Sequence, residues 1–150
     1  MKRIDELREL SDDHHTSLVL ARSLRRASAP GARPSVAERW AQLREAFAGH
    51  LEPHFRIEEA HLLPALEAIG EPGLADRIRA DHAALRGLVA TARAGGEELE
   101  RFGRLLERHV RFEEREVFEA TQHRLPAPAL RAIAAACRST PRFCAAPAGG

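Results

Sequence analysis

The chain has 150 residues, 44% of them hydrophobic and 30% charged, which fits one folded domain and excludes a disordered chain. Its 23 basic and 22 acidic residues leave a net charge of +1 with histidines neutral, so charge gives no case for nucleic acid or an anionic membrane surface. Tyrosine is absent, which removes tyrosyl-radical and phenolate chemistry. No apolar stretch approaches membrane-spanning length and Met1-Lys2-Arg3 opens no secretory leader, so a cytoplasmic location is expected. Cys137 and Cys144 do not have zinc-site or redox-pair spacing and read as free thiols in a reducing compartment.

Four clusters of breakers divide the chain: Pro30 to Pro34, Gly70 to Gly73, Gly95-Gly96, and Leu125 to Pro128. Between them lie segments rich in Ala, Leu, Arg and Glu, all strong helix formers, with no strand-like alternation. The predicted helices cover about 4–29, 35–67, 72–94 and 97–122, with a short fifth helix at about 127–138. Ser35 with Glu38 forms a capping-box pattern at the start of the second helix. Pro53 and Pro64 fall inside that helix and are expected to bend it. Short connections predict an all-α, antiparallel up-down-up-down four-helix bundle over residues 1–138, and the Pro-, Ala- and Gly-rich stretch 139–150 reads as a flexible tail.

A ten-residue phrase occurs twice. His54-Phe55-Arg56-Ile57-Glu58-Glu59 and His109-Val110-Arg111-Phe112-Glu113-Glu114 share His, apolar, Arg, apolar, Glu, Glu, and both then run to two apolar residues. His-x-x-x-Glu places an imidazole and a carboxylate one turn apart on one helix face. At 100° per residue, Trp40, Leu43, Phe47, His54, Ile57 and Glu58 share a stripe, as do Phe102, Leu105, Leu106, His109, Phe112 and Glu113. The pairs thus lie on apolar faces, where a carboxylate is unfavourable without a positive partner. A metal cation is the simplest partner, since imidazole and carboxylate both suit iron, manganese or zinc.

The first and third helices each add a histidine. His82 stands in Asp81-His82-Ala83-Ala84-Leu85, and the first helix carries Asp12-Asp13-His14-His15-Thr16-Ser17-Leu18. Face geometry points to His14; register, with Leu18 laid on Leu85, points to His15, and His15 is preferred. The expected metal ligands are therefore His15, His54, Glu58, His82, His109 and Glu113, two imidazoles to each metal with both carboxylates available to bridge. His50, one turn before His54, reads equally as a supporting or a half-exposed residue. His61 and Glu116 occupy one repeat position and read as the polar end of a bundle. Glu59 and Glu114 turn off the stripe toward solvent or rim, and His123 suits a helix C-terminus.

The order His, His-x-x-x-Glu, His, His-x-x-x-Glu over four helices resembles the hemerythrin-like superfamily, the HHE cation-binding domain. Asp13 to Leu18, and Pro53 to Glu59 followed by Leu62-Leu63-Pro64, are similar to bacterial members in wording as well as spacing. The resemblance covers residues 4–122. It implies two non-haem iron ions with a bridging oxo or hydroxo group, the four histidines as terminal ligands and the two glutamates as bridges. Oxygen-carrying members use a fifth histidine one turn along the third helix; here those positions are Ile78 and Arg86, which argues against reversible oxygen carriage. A symmetric set is closer to members of iron-sulfur cluster repair and the nitrosative stress response.

Three functions compete. The first is binding or sensing of dioxygen, nitric oxide or peroxide at a di-iron site. The second is an enzyme-like role with the same site, served by an electron-donor protein. The third is a metal-stabilised helical adaptor. Neither nucleic acid nor membrane is an expected partner.

Overall fold

The four clusters of breakers lie at or between helix ends in the computed structural model, which describes residues 2–91 and 95–141, though the first helix stops at Leu24, short of the expected residue 29. The described residues are all-helical, with no strand. A short 3-10 turn, Asp5–Leu7, leads into α1, Arg8–Leu24. Helix α2 runs over residues 36–68, α3 is Pro72–Val89, α4 runs over residues 96–124, and α5 is Ala127–Ser139. The expected tail lies mostly outside the described residues.

Local chemistry fixes the boundaries. The Ser35 side chain accepts a hydrogen bond from the Glu38 backbone N–H at 3.2 Å, so α2 starts where the capping pattern places it. It ends at Gly70, whose φ of +83° lets Glu71 N–H reach Leu66 C=O and Gly70 N–H reach Glu67 C=O. Pro53 and Pro64 do not break α2. They follow directly on two wide π-helical turns, Phe47–Leu51 and Glu58–Leu62, which accommodate the missing N–H and the ring. Helix α4 has a third such turn, Glu113–Val117, with no proline near it. In both copies of the repeated phrase, the π turn begins at the motif glutamate.

Helix α1 packs along α4, α3 packs on α4 and on the last turns of α2, and the start of α2 also meets α4. Helix α5 lies against the middle of α2 and the Asp5–Leu7 turn. Trp40 Nε1 donates to the Gly95 carbonyl at 3.1 Å, tying the start of α2 to the start of α4. The apolar interior has two parts. One contains Leu10, Ile57, Leu66, Ile78, Phe112, Phe118 and the α5 residues Leu130 and Ile133. The other contains Leu24, Trp40, Phe47, Phe55, Leu85, Phe102 and Leu106. Every one of α1 to α4 contributes to both, and most of the buried polar residues lie near the point in each helix where one part gives way to the other.

Gly103 lets α1 and α4 approach closely. A Cβ there would lie 2.8 Å from the Ala21 carbonyl oxygen and 3.1 Å from Leu24 Cβ. Gly103→Val is expected to destabilise the protein by about 1–3 kcal/mol through overpacking, despite its better helix propensity. Urea denaturation of the two proteins checks this; equal midpoints would show that the contact is not tight.

Candidate metal centre

Between the two apolar regions, α1 supplies His14, α2 His54 and Glu58, α3 His82, and α4 His109 and Glu113. None is more than 2% exposed. Their ligand atoms fall into two groups, His14, His54, Glu58 and Glu113, and Glu58, His82, His109 and Glu113. Within each group the atoms lie within 4.8 Å of one another, and both carboxylates belong to both groups.

The inward-facing atoms crowd together without pairing. His54 Nε2 lies 3.0 Å from Glu58 Oε1, and His14 Nε2 2.9 Å from Glu113 Oε2. His82 Nε2 is 3.2 Å from Glu58 Oε2, and His109 Nε2 is 3.3 Å from Glu113 Oε1. These approaches are not aligned as hydrogen bonds, and the four Nε2 atoms and four carboxylate oxygens have no hydrogen-bond partner. Donors that point at a common centre rather than at each other are arranged as ligands. Buried unpaired carboxylates call for a cation, and nitrogen with carboxylate oxygen suits a first-row transition metal.

The outer nitrogens are all held. His54 Nδ1 meets Asp13 at 3.0 Å, His82 Nδ1 meets Glu59 at 2.8 Å, His109 Nδ1 meets Asp81 at 3.2 Å, and His14 Nδ1 meets Glu114 at 2.8 Å. Each helix thereby offers a carboxylate to the imidazole of the next, α1 to α2, α2 to α3, α3 to α4, and α4 back to α1. Protonation at Nδ1 leaves the Nε2 lone pair facing inward. Glu59 is gripped in turn by Arg86 at 2.7 Å, and Glu114 by Arg3 at 2.6 Å.

The structure places the first helix's preferred residue outside the cluster. His15 is exposed, and His14 takes the place in the cluster. The buried face of α1 runs Leu10, His14, Ser17, Ala21, Leu24, and His15 lies about 100° away from His14 around the helix. Laying Leu18 on Leu85 set the register wrongly, because Leu18 is only half-buried. The informative match was Asp13-His14 with Asp81-His82, since both aspartates serve the motif histidine of the following helix. The structure brings together His54, Glu58, His82, His109 and Glu113 as the repeat predicts. Glu59 and Glu114 are not simply rim residues; their 100° turn off the stripe aims them at the neighbouring helix. His50 is buried with Nε2 3.2 Å from the Asp13 carbonyl, while His61 and Glu116 are exposed. His123 is exposed beside Glu119.

Residues 5–121 match the family model described as the hemerythrin HHE cation-binding domain. The chain belongs to this family. Comparison with curated proteins gives no match. Comparison with solved structures likewise gives none. As a hemerythrin HHE domain, the chain carries its His and Glu groups where a cation-binding function needs them, buried and convergent.

The electrostatics of the centre favour positive charge. Burial opposes a charge on His54, but the Glu58 charge and the Asp13 and Glu58 contacts outweigh it and raise its pKa to about 9. Burial likewise opposes charge on His14 and His82, and their carboxylate neighbours raise both. Burial would raise Glu58, yet His54, His14 and His82 hold it well below the usual range. Glu114, resisted by burial and favoured by His14, Ser11 and Arg3, is lowered to about 2.

These shifts set a pH dependence for the metal-free protein. A histidine raised from 6.5 to about 9 stabilises the fold fully below pH 6.5, and that contribution is lost as pH rises through 9. Glu114 acts oppositely, contributing above its ordinary 4.5 and losing that as pH falls toward 2. Chelator-treated protein is therefore expected to be most stable between about pH 4.5 and 6.5. Denaturant midpoints measured across pH 3–9.5 check this; a midpoint that climbs from pH 6.5 to 9 contradicts it.

Proposed function

We propose that this hemerythrin HHE protein is a non-haem di-iron protein that binds or senses dioxygen, nitric oxide or peroxide within an antiparallel up-down-up-down four-helix bundle. The observation that carries this reading is the set of four ring nitrogens and four carboxylate oxygens, buried, convergent and without hydrogen-bond partners. His14 and His54 would hold one ion and His82 and His109 the other. Glu58 and Glu113 would bridge them, with an oxo or hydroxo group completing the pair. Iron bound there supplies reversible one-electron chemistry and coordination positions for a small ligand.

The protein's own part is positioning and exclusion of water. Asp13, Glu59, Asp81 and Glu114 fix the tautomer and tilt of the four imidazoles. Ile57 and Phe112, equivalent in the repeat and 4% and 5% exposed, shield the motif pairs. Phe55 stacks on His82 with ring centroids 3.9 Å apart.

A role in iron-sulfur cluster repair or the nitrosative stress response is the second reading. What favours it is Arg86, which stands one turn from His82, where oxygen carriers of the resembling family place a fifth histidine. It is turned instead to Glu52 at 2.9 Å and Glu59 at 2.7 Å. Ile78, one turn to the other side, is buried and apolar.

Elemental analysis of iron-supplied protein tests the proposal. Two iron ions per chain are expected, with a large loss in His54→Ala/His109→Ala and in His14→Ala but none in His15→Ala. Asp81→Asn is expected to lower affinity by about 10–100-fold while leaving the fold intact. Full metal in the double variant would sink the reading. A loaded centre inert to azide and nitric oxide would instead favour a structural metal in a helical adaptor.

A further inference from the structure

The repeat relates α2 to α4 position by position, His54 to His109 and Glu58 to Glu113. Their outer faces can therefore be compared directly. On α2 this face carries Pro53, Arg56 and Ala60, and α5 lies against it across a groove of about 980 Å³ floored by Ile57. The α5 side of that groove is mostly alanine, Ala132, Ala135 and Ala136, with Ser139 at its end.

On α4 the equivalent positions are Arg108, Arg111 and Arg115, with Arg104 one turn earlier. All four are exposed, and among the described residues no helix lies over them. Phe112 replaces Ile57 under a depression of about 360 Å³, flanked by Arg25 just past the end of α1 and Arg77 from α3. Arg77 stacks over the Phe112 ring at 3.7 Å. The lining holds six arginines against Glu107 and Glu116, in a chain whose net charge is only +1. Glu107 is already engaged by Arg25 at 3.0 Å and Arg111 at 2.8 Å. The arginines are thus concentrated on one face, not evenly interspersed with glutamate.

We propose that this face of α4 is the docking surface for an acidic helical segment of a partner protein, seated as α5 is seated on the matching face of α2. Three observations support a helix. The repeat supplies a worked precedent in α5. The arginines at 104, 108, 111 and 115 recur once per turn, the spacing that meets carboxylates at i, i+3 or i+4 and i+7 of an opposing helix. The stripe is also short, about 16 Å at 1.5 Å per residue. Acidic residues bound it at both ends, Glu97, Glu98 and Glu100 before it and Glu116 and Glu119 after it. An extended polyanion such as duplex nucleic acid would run onto those acids, whereas a segment of a few turns would not. The proposal does not depend on metal in the centre.

Fluorescence anisotropy with a labelled alanine-based peptide of about four turns, glutamates once per turn, tests it on the full chain. Saturable binding at low ionic strength is expected, weakening about tenfold at 0.15 M salt. Arg108→Gln/Arg115→Gln is expected to weaken binding about tenfold with melting temperature and metal content unchanged, and Arg56→Gln on α2 to leave it unaltered. A central proline in the peptide should weaken binding to a similar extent. Absence of saturable binding at low salt overturns the proposal. So does equal affinity for the proline peptide or for the doubly substituted protein. Tighter binding of a duplex oligonucleotide or of phosphatidylserine vesicles overturns it in favour of a different macromolecule.

Discussion

Glu58 and Glu113 have no exposed surface, and burying two carboxylates in an apolar interior is the constraint around which the rest of the structure is arranged. An isolated buried carboxylate is strongly disfavoured, so each must be met by positive charge. The chain surrounds them with four imidazoles drawn from four different helices, a set that can hold a cation between them. The interior consequently cannot be one apolar mass. It is split into two regions, one at either end of a polar layer, and every long helix passes through all three.

The polar layer is itself organised by its outer partners. Because each helix holds the imidazole of the next, no histidine is oriented by its own helix alone. Arg86 and Arg3 extend this outward, each fixing a glutamate that fixes a ring. The two arginines come from dissimilar places, one from the last turn of α3 and one from the segment before α1. The near-symmetry of the inner residues thus fades outward. It is lost altogether at the surface, where α5 covers one outer face and a row of arginines marks the other.

Much of this was legible in the sequence, and the misses have physical causes. The helices could be read because Gly70, Ser35 and the proline clusters act locally, through backbone conformation and capping. The motif pairs could be read because a turn-spaced His and Glu on an apolar stripe leave one arrangement. His14 was harder, because adjacent histidines differ by only 100° and a half-buried leucine offered a false register. Glu59 and Glu114 were read as rim residues because their roles depend on which helix lies beside them. Periodicity within one helix carries no such information. The π turns were likewise hidden, since α4 forms one without a proline to announce it.

The sharing of the two glutamates has a further consequence. Each group takes both imidazoles from consecutive helices, α1 and α2 or α3 and α4, and one of its two carboxylates from the other pair. Any motion that parts α1 and α2 from α3 and α4 would therefore take apart both groups together.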